Sequence, residues 1–483
     1  MSNDKKPSIL LIMADQLRFD ALGFMDCSGA KTPNIDRLAS MGVMFENAYS
    51  NCPICAPARA SLVTGRLVRN TKVYDNGAEL SSAIPTFMHG LKSADYDTVL
   101  SGKMHFIGSD QLHGFDRRLT TDIYPSDFGW TPDWEKGTYA NPGTSIRRIT
   151  DCGPRPWNFQ MDYDEETCFR ALEYLRERCE TDKPFFLCAS FTHPHCPYFI
   201  PEEYWDMYAD VDIPMPRVRK EALDKMHPFN LWLQIHHECD VIHLSDEQII
   251  NARRAYLGMV TYFDEQVGKL IKEAERLGMT DNLLIVLTSD HGDMMGERGM
   301  WFKRTWFDGS SKIPLIARMD GAIPAGSRIK EAVSLIDLAP TLLEIADANP
   351  EYAENMDGTS IYSLMKGEES NPRDEAVMEY YCEGVLSSML AVRSGKWKYV
   401  YVHKHDGLLY DMESDPDELT DLSADRPDVC KKLKDRLLSG LDVDKMETEV
   451  IKSQKERLLI CKVTRGLSWD YQPFFDASKS YVR

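Results

Sequence analysis

The segment most able to do chemistry is built around a cysteine. The stretch CAPARASLVTGR runs from Cys55 to Arg66, and it places Pro57 two positions and Arg59 four positions after the cysteine. Pro57 predicts the start of a helix, where unpaired N–H donors and the positive end of the helix dipole meet the thiol. Such an environment lowers a thiol pKa and favours chemistry on an anion. A packed structural cysteine remains the alternative, and a tyrosine-phosphatase-type thiolate fits poorly because its C-x5-R spacing is absent.

Acidic and amide side chains at two predicted strand ends are suited to binding a cation. Asp15 and Gln16 follow the apolar run SILLIMA, and Asp290 and His291 follow the run LLIVLTS. Oxygen ligands together with one nitrogen suit a divalent cation such as calcium or magnesium. For any one of these residues alone, a role as a cap of a neighbouring helix or loop stays open.

Lysines and histidines in three further segments are suited to binding an anion. The segments are GKMH, THPH and MWFK, and the residues are Lys103, His105, His193, His195 and Lys303. Cationic side chains bind the oxygens of a tetrahedral anion and can protonate a leaving alkoxide. A single histidine is more often a packing residue. Several of them with two lysines near predicted strand ends indicate an anion site.

Buried strands that alternate with helices would bring these side chains together. Continuous apolar runs precede the candidate residues and predict parallel strands. Helices are predicted between them, for example at TPNIDRLASM and from about residue 246 to 277. The pattern predicts an α/β fold with a large, mostly parallel mixed sheet flanked by helices. In such sheets ligands bind beyond the carboxyl ends of the strands, where the candidate residues stand.

The sequence pattern changes after about residue 370. The alternating stretch SSMLAVRSGKWKYVYVH predicts antiparallel strands, and RPDVCKKLKDRLLSGL predicts a helix. We interpret residues 1–370 as a catalytic α/β domain and residues 371–483 as a smaller α+β subdomain with an antiparallel sheet. The aromatic tail at about 463–483 is expected to dock near the active site or on a neighbouring subunit. A homo-oligomer, either a dimer or a tetramer, is therefore expected.

Composition excludes several classes of partner. The chain has 483 residues and a formal net charge of −20, which argues against binding nucleic acid or an anionic membrane, since both need a basic surface. Its 12 cysteines show no paired zinc-type spacing. The first apolar run is too short for a signal peptide or a membrane span, so a cytoplasmic protein with reduced thiols is expected.

Taken together, the segments resemble the sulfatase family. CAPARASLVTGR matches the family signature C-x-P-x-R followed by TG, and MADQ, SGKMH, THPH and SDHGD match its other site segments in the same order. The resemblance spans essentially the whole chain and implies an alkaline-phosphatase-like fold. It implies that a formylglycine-generating or sulfatase-maturating enzyme converts Cys55 to formylglycine. In this family the hydrated aldehyde attacks sulfur, and collapse of the diol then releases sulfate.

The resemblance also implies which residues bind a metal, with calcium expected first and magnesium or manganese as alternatives. The implied ligands are Asp15, Gln16, modified Cys55, Asp290 and His291. Many family members carry a second acid in place of Gln16 and an asparagine in place of His291. A neutral ligand at position 16 leaves the metal more positive, which favours binding of a transition state with two negative charges.

The remaining site residues receive catalytic roles from the same resemblance. Arg59 and Lys103 are expected to orient the diol, and His105 is expected to be the base for its collapse. His193 and Lys303 are expected to bind the sulfate and to protonate the leaving group.

Within the family, residues 73–134 and the tail resemble the choline sulfatases. A quaternary ammonium is bound by aromatic faces and a carboxylate. The candidate substrate-binding residues are Trp130, Tyr124, Glu383, Asn141 and Phe474. Core or interface packing is the alternative role for Trp130 and for the tail. Residues 136–159 depart from this subgroup, since TYAN stands where a Trp-Trp-Tyr-His-Asn-like stretch is expected.

The function expected from the sequence is hydrolysis of a small alkyl sulfate ester, first of all choline-O-sulfate. A phosphonate monoester or phosphodiester hydrolase is the alternative, because such relatives share the modified cysteine and a similar metal shell. An aryl or carbohydrate sulfatase is a further alternative. A non-catalytic binding protein is disfavoured, because every site position in the signature segments carries a competent residue.

Overall fold

A large mixed β-sheet forms the centre of the protein. The computed structural model describes residues 5–25, 29–138, 144–368 and 373–464. Within these residues the strands are β1 (Ser8–Ala14), β2 (Val43–Tyr49), β3 (Asp97–Gly102), β4 (Arg117–Arg118), β5 (Gly153–Pro154), β6 (Phe185–Ser190), β7 (Phe199–Ile200), β8 (Leu283–Ser289), β9 (Lys312–Ile313), β10 (Leu315–Arg318), β11 (Ser327–Ser334), β12 (Glu375–Tyr380), β13 (Met389–Ser394), β14 (Trp397–Val402) and β15 (Leu408–Asp411).

Helices cover both faces of this sheet. In the same ranges the α-helices are α1 (Pro33–Met41), α2 (Cys55–Thr64), α3 (Val68–Thr71), α4 (Phe87–Ser93), α5 (Phe159–Arg178), α6 (Glu202–Asp206), α7 (Pro228–His236), α8 (Asp246–Arg276), α9 (Asp308–Ser311), α10 (Leu338–Ile345), α11 (Tyr362–Met365), α12 (Pro427–Leu438) and α13 (Val443–Val463). One apolar core lies between the sheet and α1, α5 and α8, and a second lies between the opposite face and α2, α4 and α10. Burial on both faces explains why the central strands are apolar throughout.

The strand order of the large sheet places the candidate residues side by side. The order is β11–β2–β10–β8–β1–β6–β3–β4, with β9 paired to β2. Strand β1 is parallel to both β6 and β8, and β3 is parallel to β6. Strand β10 runs antiparallel to β8 and β2, so the sheet is mixed. The predicted α/β fold with a mostly parallel mixed sheet is confirmed.

Local sequence signals account for the helices that were predicted. Helix α1 has Pro33 at its first turn and ends before Gly42. The predicted helix from about residue 246 to 277 is α8, and Ser245 caps it by accepting from the backbone N–H of Gln248 while the Gln248 side chain accepts from the Ser245 backbone. No helix in the described ranges has the length and apolar composition needed to cross a bilayer.

The C-terminal part of the chain adds a small antiparallel sheet. Strands β12, β13, β14 and β15 pair in that order, and all three pairings are antiparallel. The predicted strands and the predicted helix, which is α12, are confirmed. The domain division at residue 370 stays a prediction. Phe474 and nearly all of the tail, together with Asn141, lie outside the described residues.

Helix α13 is tied to the loop between α3 and α4 through a buried ion pair. Both terminal nitrogens of Arg457 donate to the carboxylate of Asp75, at 2.6 and 2.7 Å. One of them also donates to Thr131 Oγ1 at 2.9 Å. Because Thr131 follows Trp130, the helix also supports the loop that carries this tryptophan.

Substitution Arg457→Met is expected to lower the free energy of unfolding by about 3 kcal/mol, because it leaves the Asp75 carboxylate buried without its cation. The measurement is the midpoint of urea unfolding followed by tryptophan fluorescence. Lys455→Met on the same helix is the control, since it removes only an exposed pair with Glu135, which is worth about 0–1 kcal/mol. Equal midpoints for the two variants would contradict the prediction.

Candidate active site

Four neighbouring strands deliver polar residues to one edge of the sheet. Asp15 follows β1, Asp290 follows β8 and Lys103 follows β3. The loop after β6 carries the two histidines of THPH. Asp15, Asp290 and Lys103 have no exposed surface. The ends of these strands meet because β8, β1, β6 and β3 are adjacent in the sheet.

The Arg59 side chain joins helix α2 to these strand ends. Its Nε donates to Asp290 Oδ2 at 2.8 Å, and its Nη2 donates to Asp15 Oδ2 at 3.2 Å. Its Nη1 donates to the carbonyl oxygen of Lys103 at 2.7 Å and to Ser190 Oγ at 2.8 Å. One buried guanidinium therefore contacts residues at the ends of β1, β3, β6 and β8.

The same helix begins at Cys55, and its thiol faces the cluster of polar groups. The Cys55 Sγ atom lies 3.3 Å from His291 Nε2, 3.7 Å from Lys303 Nζ and 3.8 Å from Asp15 Oδ1. Burial opposes ionisation of the thiol, but the positive charges of Lys103 and Lys303 outweigh it and hold the pKa of Cys55 well below its ordinary value. The predicted low pKa thus has neighbouring cations as its cause.

Four buried side chains form a group able to hold a metal ion. One donor atom from each of Asp15, Cys55, Asp290 and His291 lies within 4.8 Å of every other. Carboxylate oxygens with an imidazole nitrogen form a donor set that suits a hard or borderline divalent cation. The residues therefore fit the divalent cation that the sequence predicts, and Arg59 and Lys103 balance the negative charge of the carboxylates.

Gln16 is held beside this group by hydrogen bonds to other residues. Its Oε1 accepts a hydrogen bond from Lys303 Nζ at 2.6 Å, and its Nε2 donates to Asp293. Its backbone N–H donates to Asp290 Oδ1 at 3.2 Å. The amide thus sets the position of Lys303, and the metal-binding role predicted for Gln16 stays a prediction.

Lys103 and His105 lie between the metal-binding group and two aromatic rings. Lys103 Nζ donates to the Asp15 carboxylate and lies 4.3 Å from the centroid of the Tyr124 ring. The ring of His105 is 5.0 Å from that of Tyr124 and 6.0 Å from that of Trp130. Burial lowers the pKa of His105, so the imidazole is neutral at neutral pH, which suits a proton acceptor.

The two histidines of THPH have different surroundings. His193 Nδ1 lies 2.7 Å from Asp164 Oδ2, and its ring packs 4.6 Å from the ring of Tyr262. His195 lines the cavity beside Cys55, and its Nε2 lies 2.7 Å from Lys303 Nζ. The sequence analysis gave the anion-binding role to His193, and this role stays a prediction; of the two histidines, His195 is the one that lines the cavity.

A cavity of about 310 Å³ opens above Cys55. The predicted residues Tyr124, Trp130 and Glu383 line it together with Lys303. Trp130 keeps 37% of its surface exposed, which leaves part of the indole ring free to contact a ligand. Three predicted substrate-binding residues are therefore brought together at the reactive end of the sheet.

Several lining residues have no counterpart among the residues predicted from the sequence. They are Asn76, Ile123, Thr144, Arg148, Phe159, Gln160, Cys196, Pro197 and Arg304. Asn76 accepts a hydrogen bond from the backbone N–H of Ala56 at 3.0 Å, next to Cys55. Arg304 directly follows Lys303, and its Nη2 donates to Glu383 Oε1 at 2.9 Å. Its position directly after Lys303 was a usable signal in the sequence, whereas its pairing with Glu383 was not, because the two residues are far apart along the chain.

Substitution Asp290→Asn is expected to weaken binding of a divalent cation by more than about 100-fold, because losing a ligand exceeds the effect of losing an outer-shell partner. The metal content after gel filtration, measured by plasma mass spectrometry, tests this. Asp164→Asn is the control, since Asp164 is a buried acid outside the metal-binding group. Equal metal content in both variants would show that these residues do not hold the ion.

Comparison with known proteins identifies the family of this site. A family model described as Sulfatase matches residues 7–348. A second model, described as N-sulphoglucosamine sulphohydrolase, C-terminal, matches residues 296–442. Together the two models cover the large sheet, the small sheet and the loops that carry the site.

Individual relatives agree with this match. The choline-sulfatase of Rhizobium meliloti is 39% identical over 499 aligned residues, covering 99% of this chain and 96% of the relative. An arylsulfatase of Clostridium perfringens is 29% identical, covering 90% of this chain and 95% of the relative. Among solved structures, the phosphonate monoester hydrolase of Agrobacterium radiobacter superimposes with a TM-score of 0.72 at 27% identity, covering 90% of this chain and 95% of that one. The chain therefore belongs to the sulfatase family of sulfuric ester hydrolases.

Proposed function

We propose that the protein hydrolyses the sulfate ester of a small alcohol bearing an ammonium group, with choline-O-sulfate as the first substrate to test. The observation that carries the proposal is the shared cavity of Cys55, Lys303, Trp130 and Glu383. Lysine and the helix N-terminus suit the sulfate, while the indole face and the carboxylate suit a cation. The 39% identity to a choline-sulfatase supports the same substrate class.

The size of the cavity favours a small ester. Its volume of about 310 Å³ lies at the lower end of the ~300–1,000 Å³ range of small-molecule sites. A substrate with a few heavy atoms on each side of the ester oxygen matches this volume better than a long carbohydrate chain does.

Cys55 is proposed to act after conversion to formylglycine by a maturating enzyme, and Asp15, Asp290 and His291 to hold the cation, with calcium expected first. When the divalent cation and formylglycine are both present, the cation withdraws charge from the sulfate and the hydrated aldehyde supplies the attacking oxygen. The mass of the tryptic peptide that contains Cys55 reports the conversion.

We also propose that the protein forms a homo-oligomer and is located in the cytoplasm.

The surrounding residues orient the reactants and move protons. Lys303 Nζ lies 3.7 Å from Cys55 Sγ, which supports a role in binding a sulfate oxygen. We expect His195, whose Nε2 lies 2.7 Å from Lys303 Nζ, to protonate the departing alkoxide. We expect His105, whose pKa is lowered by burial, to accept a proton when sulfate is released. Arg59 donates to the carboxylates of Asp15 and Asp290, Lys103 donates to that of Asp15, and all of these side chains are buried.

The similarity to a phosphonate monoester hydrolase supports a second candidate function. Both reactions place a tetrahedral anion against the same cations, so the geometry around Cys55 accommodates either ester. Parallel turnover of phenyl sulfate and of a phenylphosphonate monoester separates them. A higher kcat/KM for the phosphonate monoester would identify it, and not the sulfate ester, as the preferred substrate.

Choline-O-sulfate is expected to be hydrolysed faster than phenyl sulfate by protein co-expressed with a formylglycine-generating enzyme. Trp130→Ala is expected to raise KM for choline-O-sulfate by roughly 3- to 30-fold with little change in kcat, because a cation–π contact is lost. Trp157→Ala is the matched control, since Trp157 is also exposed but does not line the cavity. Equal KM values for the two variants would remove Trp130 from the binding site.

His195→Asn is expected to lower kcat for a sulfate ester by roughly 10²- to 10³-fold, because the group that donates the proton is lost. His193→Asn is expected to lower the melting temperature more than kcat, since His193 bonds to buried Asp164 and not to a group in the cavity. Steady-state kinetics and thermal melting of both variants provide the comparison. The larger kcat loss in His193→Asn at an unchanged melting temperature would reverse the assignment.

A further inference from the structure

A buried ion pair forms one wall of the cavity. Arg304 and Glu383 each expose only 2% of their surface. The Glu383 Oε1 atom accepts from Arg304 Nη2 at 2.9 Å and from Arg304 Nε at 3.3 Å. The pair is held from both sides, because Tyr380 Oη donates to the backbone carbonyl of Glu383 at 2.8 Å and the Arg304 backbone N–H donates to Pro53 at 3.1 Å.

Each member of the pair keeps one buried polar atom without a partner. These atoms are Arg304 Nη1 and Glu383 Oε2, and neither has a hydrogen-bond partner among the described residues. A buried charged group that lacks a hydrogen bond is costly, so such atoms are rare unless a ligand completes them. The two atoms demand opposite partners, since the guanidinium requires an acceptor and the carboxylate requires a donor or a cation.

The charges around the cavity lead to the same requirement. Glu383 is the one carboxylic acid among the described lining residues, and the basic ones are Arg148, His195, Lys303 and Arg304. In the proposed function, the sulfate group binds to the cationic side chains next to Cys55. Arg304 already compensates the charge of Glu383, so an ammonium group entering alone meets a neutral pair with a repelling guanidinium. A substrate carboxylate bound to Arg304 would neutralise the guanidinium, so that Glu383 would again attract the ammonium group.

We propose that the Arg304–Glu383 pair determines specificity and that the substrate is the sulfate ester of a zwitterionic alcohol, one carrying a carboxylate as well as an ammonium group. The ammonium group lies against Glu383 and Trp130, and the carboxylate lies against Arg304. This inference rests on the proposed function and narrows its substrate class.

Two esters with the same quaternary ammonium group test the inference. O-sulfocarnitine differs from choline-O-sulfate by an added carboxymethyl group. The wild-type enzyme is expected to show a kcat/KM at least about tenfold higher for O-sulfocarnitine, as one added charge-assisted hydrogen bond implies. Arg304→Met is expected to abolish this preference and to raise kcat/KM for choline-O-sulfate, whereas Arg304→Lys is expected to keep part of it.

Inhibition of the wild-type enzyme gives an answer that does not depend on a stable variant. With phenyl sulfate as the reporter substrate, free carnitine is expected to inhibit competitively at a concentration at least about tenfold lower than choline. Preference for choline and its ester, with the same ratio in Arg304→Met, would overturn the proposal while leaving the proposed function intact. Turnover of phenyl sulfate or a phosphonate monoester with neither ammonium ester would overturn the proposed function, and this proposal with it.

Discussion

The balance of charge around Arg59 is the constraint on which the site depends. Two carboxylates, Asp15 and Asp290, are fully buried within hydrogen-bond distance of one guanidinium, and Lys103 supplies a second cation. Removing ions from water is expensive unless each is paired and hydrogen-bonded. Arg59 and Lys103 contact the Oδ2 atoms of these acids, whereas Asp15 Oδ1 and Asp290 Oδ1 lie 3.8 and 3.6 Å from His291 Nε2, within the group able to hold a metal ion.

This network also fixes the position of Cys55 at the start of a helix. Arg59 lies one turn after Cys55 on α2, so its bonds to the strand ends fix the position of the thiol. The parallel strands align their carboxyl ends, and the helix closes the space above them. A short segment of the chain thereby supplies the reactive group and the cation that holds its surroundings in place.

Beyond this centre of charge, the outer part of the cavity is assembled from distant segments. Trp130 is supported through Thr131 by Arg457 of helix α13, and Glu383 comes from the loop that follows β12. The Arg304–Glu383 pair lines the same cavity as Lys303 and Trp130. The cavity thus combines residues at the strand ends of the large sheet with residues from loops, one of which contacts the C-terminal helix.

The sequence by itself determined the main elements and the enzyme family. Continuous apolar runs ending in Asp15 and Asp290, a helix opening at Pro33 and the signature around Cys55 are local patterns, and local backbone preferences and side-chain periodicity decide them. The tertiary structure alone decided which side chains share the cavity. His193 and His195 stand two positions apart in an irregular loop, where no periodicity tells which imidazole faces Lys303. The partners Arg304 and Glu383, like Asp75 and Arg457, are far apart along the chain, and only the packing of whole elements brings their charges together.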